Sequence, residues 1–180
     1  MQAPALTATD WLDAGLDALK EAGYPALKAL PLAKRLGVTR GSFYHHFDSL
    51  DAYHSALVAH WSTRTSAGLI DAAATATDPA AALDRLLQVT LTSAEGLERA
   101  IRAWAIVQPS VAEAVERIDA GRIGAAEDLL LRAGVGQAEA TARARLLYWA
   151  AIGRLMMPVP ARAVLSPEEI TDIATLMRRT

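Results

Sequence analysis

With 180 residues, 52% of them apolar, the chain is long enough to bury a core and too apolar to remain disordered. It has no cysteine, which excludes disulfides, thiolate zinc sites and cysteine nucleophiles, and its net charge of −2 excludes a generally basic nucleic-acid binder. The most apolar run, 146–153, is closed by Arg145 and Arg154, and the N-terminal stretch carries Asp10, Asp13 and Asp17 where a signal peptide would be basic and then apolar. No membrane partner is therefore expected, and the cytoplasm is the expected location.

Leu and Ala are abundant, and Pro and Gly fall at helix-length intervals, so the whole chain reads as all-α with about nine helices. The first helix starts near Thr9 as cap, buries Leu12, Leu16 and Leu19, and ends at Gly23. A short second helix has Pro31 in its first turn and turns Leu32, Ala33 and Leu36 inward. Gly37-Val38 turns the chain, and Thr39 caps a third helix through Phe47. Ser49 opens a long fourth helix reaching about Ala76, with Tyr53, Leu57 and Trp61 along it. Asp78-Pro79 opens the fifth, and the sixth runs from about Ser93 to Pro109. Ser110 to Glu113 has capping-box spacing and starts the seventh, which Gly134 and Gly136 end. The eighth covers roughly Gln137 to Met157 and is broken by Pro158 and Pro160. Ser166-Pro167-Glu168-Glu169 then combines a cap, an N1 proline and a capping-box acid before the ninth.

Charge is uneven along this series. Between Tyr24 and Phe47 stand Lys28, Lys34, Arg35 and Arg40 with no acid, whereas 1–23 holds four acids and Lys20 alone. The segment Leu32-Ala-Lys-Arg-Leu-Gly-Val-Thr-Arg-Gly-Ser-Phe-Tyr-His-His-Phe47 also meets the demands of a helix-turn-helix. Ala33 is small enough for two helices to approach, Gly37 supplies the turn, and Val38 and Phe43 fix the second helix on the first. Arg40, Ser42, Tyr44 and His45 are left pointing outward from a recognition helix.

The stretch from Trp11 to Tyr53, with "WLDAGLDAL", "EAGY", "LAKRLGV" and "TRGSFYHHFDS", resembles the DNA-binding domain of the TetR family. The resemblance covers about a quarter of the chain. It implies that Thr39, Tyr44 and His45 touch phosphates, that Arg40 and Ser42 face base edges, and that Gly41 lets the backbone approach closely. Tyr24, Phe43 and Phe47 are expected in the core, and His46 within the domain. The chain departs from the family's pattern at Leu50, at Leu30, where Lys28 compensates nearby, and in having no basic arm before the first helix. These departures predict modest affinity and a shallow salt dependence.

The expected organisation is a three-helix DNA-binding domain at 1–48 and a helical ligand-binding and dimerisation domain at 49–180. Trp61, Arg102, Trp104, Gln108 and Tyr148 are candidate effector-pocket residues, with core packing the competing reading. From Leu146 to Met157 the eighth helix is apolar around its circumference and must be buried on more than one side. The resemblance places the last two helices in a dimer interface, with Leu146, Trp149, Ile152, Gly153, Met156, Ile173 and Met177 as candidates. A two-fold dimer also suits a palindromic double-stranded operator.

Neither a nucleophile–base pair nor a phosphate loop is found, and the pairs His45/His46 and His54/His60 lack ligand spacing, so no enzyme activity, metal or cofactor is expected. The expected function is a homodimeric transcriptional regulator, a repressor released by an unidentified small-molecule effector. The alternative is a helical adaptor that has lost operator binding.

Overall fold

The computed structural model describes residues 6–92, 96–156 and 164–179, and all regular structure among them is helical. In chain order the segments are α1 (Ala8–Ala22), α2 (Ala29–Arg35), α3 (Arg40–His46), α4 (Leu50–Ser62), α5 (Gly68–Ala74), α6 (Pro79–Thr92), α7 (Gly96–Val107), α8 (Pro109–Arg132), α9 (Gln137–Met156) and α10 (Pro167–Arg178). The expected long fourth helix is α4 and α5 with a π-helical turn, Thr63–Ala67, between them. The break points expected at Ser93, Pro158 and Pro160, and the end at Met157, lie outside the described residues.

The chain divides into two compact units, one of Met1–Arg64 with Gly96–Val115, the other of Thr65–Glu95 with Glu116–Thr180. In the first, α1 packs against α2, α4 and α7. It starts two residues earlier than a Thr9 cap would place it. Thr7 and Asp10 form the capping box, with Asp10 N donating to Thr7 Oγ1 at 3.3 Å and Thr7 N to Asp10 Oδ2 at 2.7 Å. Trp11, Leu16 and Leu19 are buried along α1, while Leu12, expected inside, is half-buried. Gly23, at φ +75°, donates its N–H to Leu19 O and ends the helix.

Gly15 marks where α1 and α4 come closest: a Cβ there would lie 1.9 Å from Tyr53 Oη. Tyr53 is fully buried and donates its hydroxyl to Trp11 O at 3.1 Å. Burial pushes the Tyr53 phenol well above its ordinary range. A second tie joins the same two helices. Asp13 Oδ1 accepts from His60 Nε2 at 2.7 Å and from Arg64 at 2.6 Å, and the His60 hydrogen bond is the main reason its carboxyl sits below the usual value.

The second unit is built on α6, which packs against α5, α9 and α10. Its core includes Leu83, Leu87, Leu129, Leu130, Ala140, Ala144, Leu147 and Ile170, so α9 turns a stripe at i, i+4 and i+7 inward. The expected caps are present: Asp78 Oδ1 accepts from Ala81 N at 3.0 Å, and Ser166 and Glu169 form a reciprocal box. The helix expected to open at Ser110 is α8, and its start differs from expectation. It begins at Pro109 and not at Ser110, because Gln108 O accepts from Ala112 N and the proline, which has no N–H to leave unpaired, fills the first helical position. No helix among the described residues is long and apolar enough to cross a membrane.

Candidate nucleic-acid interface

Local chemistry fixes the α2–α3 turn. After α2, Val38 N donates to Ala33 O at 2.9 Å and Gly37 N to Lys34 O at 3.3 Å, with Gly37 at φ +69°. This is the paired hydrogen bonding of a Schellman cap, and it needs a residue that tolerates positive φ at position 37. Leu32 and Ala33 are buried on the inner side of α2, and α3 packs onto it there.

Phe43 is the anchor of α3. It is completely buried and meets Trp11 edge-on at 5.4 Å, Phe47 at 5.4 Å and Tyr53 at 5.1 Å between centroids. Phe47 is buried as its C-cap, one residue past the helix that was expected to include it. His46 lies half-buried with its ring 6.4 Å from Trp11, within the domain as expected.

With Phe43 inside, the residues one and two places from it along α3 turn away from the core. Thr39, Arg40, Gly41, Tyr44 and His45 are exposed and Ser42 is half-buried, so α3 brings six of the seven residues proposed for DNA onto one short segment. Thr39 occupies the N-cap in extended conformation, but its hydroxyl makes no bond to the helix and stays available to a ligand. Lys28, the seventh, is exposed at the N-cap of α2.

The four cations of this region are not equivalent. Arg35 is held by Glu21 through two hydrogen bonds of 2.7 and 2.9 Å, an exposed pair that lowers the Glu21 carboxyl and raises the guanidinium. Lys28 and Lys34 are exposed, and neither makes an ion pair among the described residues. Arg40 meets no acid either. Its Nη2 donates to Tyr44 Oη at 3.2 Å, its guanidinium carbon lies 5.4 Å from that ring's centre, and the hydrogen bond raises its pKa.

One apolar expectation fails here. Tyr24 is 47% exposed, because it opens a 3-10 turn ahead of Pro25 that carries its ring outward. Leu30 is 51% exposed at the start of α2, a place where a polar side chain would meet no penalty. Leu50 is half-buried at the first turn of α4, behind the Ser49 cap.

The residues proposed for an effector are divided. Trp61, Arg102, Trp104 and Gln108 belong to the first unit and Tyr148 to the second. Trp61 and Trp104 are buried, and Trp104 stands edge-on to His54 at 4.9 Å. His54 Nε2 is 3.2 Å from Leu27 O, and burial pulls its pKa down. Arg102 is bound to the buried Glu98 at 2.8 Å, so its charge already has a partner on its own helix. Among the described residues no group of three His, Asp or Glu is placed to hold a metal ion.

Of the residues proposed for a dimer, Trp149 is 64% exposed and Leu146 53%, with Met156 exposed and Ile152 and Gly153 half-buried on α9. Ile173 and Met177 on α10 lean on the core of the second unit. Leu176 between them is exposed and was missed from the sequence, where nothing distinguishes it from its buried neighbours.

Residues 12–52 match the family model described as bacterial regulatory proteins, tetR family. The N-terminal segment is thus similar to the DNA-binding segment of that family. The matched stretch runs from α1 into α4 and includes Phe43 and Phe47, while Trp11 and Tyr53, which pack on Phe43, flank it on either side. Among solved structures, a transcriptional regulator from Rhodococcus sp. Rha1 is 23% identical with a TM-score of 0.71, covering 96% of this chain and 94% of that one. Escherichia coli NemR in its reduced form is 18% identical with a TM-score of 0.70, covering 96% of each chain. AmtR of Mycobacterium smegmatis is 17% identical with a TM-score of 0.56, covering 99% of this chain and 89% of that one. These likenesses show that the chain shares the fold of those structures over nearly all of its length. No match was found among curated proteins.

Proposed function

We propose that the chain is a homodimeric, sequence-specific DNA-binding transcriptional regulator, a repressor that a small-molecule effector releases from a palindromic operator. The observation that carries this reading is the outer face of α3. A helix anchored by one buried phenylalanine presents Thr39, Arg40, Gly41, Tyr44 and His45 together, in a segment with no acid between Tyr24 and Phe47. Such a face suits the major groove, where guanidinium and hydroxyl donors find base edges and flanking phosphates.

Dimerisation is supported by the exposed Leu146 and Trp149 on α9. Large apolar side chains at i and i+3 on one helix are costly in water unless a second surface covers them. Two copies related by a two-fold axis read two half-sites, which raises both affinity and selectivity. Release follows if an effector binds better to the form whose recognition helices do not fit the operator spacing.

The test is a binding titration against an operator selected from random duplexes. Specific binding should weaken in Arg40→Ala and Tyr44→Ala and should tighten as salt falls. An adaptor that had lost operator binding would show only weak association, the same for every sequence.

A further inference from the structure

The pair Arg40 and Tyr44 is arranged differently from every other cation on this face. Arg35 is neutralised by Glu21, whereas Arg40 is held by an uncharged ring and hydroxyl and keeps its full charge. The contact uses one of the five guanidinium N–H groups and leaves the rest of the fork for a bidentate acceptor. Tyr44 is itself braced: its ring stands edge-on to the fully buried Phe43 at 5.2 Å, and Phe43 is locked against Trp11, Phe47 and Tyr53. Arg40 is thereby tied to the core of the domain through two rings. A long exposed arginine otherwise loses considerable rotamer freedom when it binds, so a side chain held in place beforehand binds more tightly and tolerates fewer acceptor geometries.

We infer that Tyr44 is a positioning residue for Arg40, holding the guanidinium ready to read one guanine before DNA arrives. The inference rests on the DNA-binding reading above and sharpens it. The Tyr44 hydroxyl accepts from Arg40 and keeps its own proton to donate to a phosphate, so a backbone contact and a base contact pass through one oxygen. Base discrimination at the Arg40 position therefore depends on a residue that need not touch the base.

The experiment uses the full chain, the operator recovered by selection, and a second duplex in which the guanine assigned to Arg40 is replaced. That guanine is the position at which Arg40→Ala loses preference. The ratio of the two affinities is the readout, measured for wild type, Arg40→Ala, Tyr44→Phe and the double variant, with circular dichroism confirming that each is folded. Wild type should prefer the guanine by about tenfold or more. Tyr44→Phe should lower that ratio at least threefold, and the double variant should lower it no further than Arg40→Ala alone. A tyrosine that serves only a phosphate would weaken both duplexes equally and leave the ratio unchanged, which overturns the inference while leaving DNA binding intact. A wild-type ratio of one at every position would instead overturn the DNA-binding reading itself.

Discussion

Replacing Gly15 by alanine separates tertiary packing from helix propensity, because the two predict opposite signs. Propensity alone makes alanine in the middle of α1 more stable by about 1 kcal/mol. In the structure the new methyl would lie 1.9 Å from Tyr53 Oη, 3.0 Å from Leu57 Cδ1 and 3.1 Å from Tyr53 Cζ. Relieving that contact requires a retreat of about 1.5 Å in a close-packed interior. Tyr53 cannot make it freely, since its ring packs on Phe43 at 5.1 Å and Phe47 at 4.9 Å and its hydroxyl is bonded to Trp11 O. Overpacking costs about 1–3 kcal/mol, and breaking a buried hydrogen bond costs a similar amount. Set against the propensity gain, Gly15→Ala should destabilise the first unit by about 3 kcal/mol. The assay is urea unfolding followed by tryptophan fluorescence, with Gly15→Ala in a Tyr53→Phe background recovering part of the loss because the nearest atom is gone. An unchanged or raised midpoint for the single variant would refute the α1–α4 packing argued here.

Two further outcomes follow from the surface. Lys28→Ala should lower the salt slope of operator binding by about one, whereas Arg35→Ala should change it less, because Glu21 already offsets that charge; affinity titrations at several salt concentrations measure both. Trp149→Glu, which places a charge where α9 exposes its largest apolar side chain, should shift the protein toward monomer in sedimentation velocity without changing its helix content, and a dimer of undiminished stability would place the interface elsewhere.

What could be read from the sequence was what is local. The Gly37 turn, the burial of Phe43 and the outward face of Arg40 and Tyr44 all follow from neighbours within one or two helical turns. So do the caps at Asp78 and Ser166. Where two local signals competed, the weaker was easily chosen: Thr9 stood closer to the apolar stripe, but Thr7 has the acid three residues on that closes the box. The pairing of Arg35 with Glu21, 14 residues away, depends on how α1 and α2 cross, and the tie of Asp13 to His60, 47 residues apart, on how α1 and α4 cross. The effector half resisted reading for a further physical reason. A buried tryptophan such as Trp61 or Trp104 has the same sequence signature whether it lines a cavity or fills a core. Arg102 looked like a polar handle, yet Glu98 one turn earlier engages it. In that case the i, i+4 spacing was visible in the sequence and would have shown the pairing.

The most direct test of the account is selection of duplexes by the full chain from a random pool. The enriched sequences should be two-fold symmetric, with half-site centres about one helical turn, 34–36 Å, or a multiple of it apart. They should lose their enrichment when Arg40 is replaced by alanine. A pool that stays random, with binding that depends on salt and not on sequence, would contradict the account.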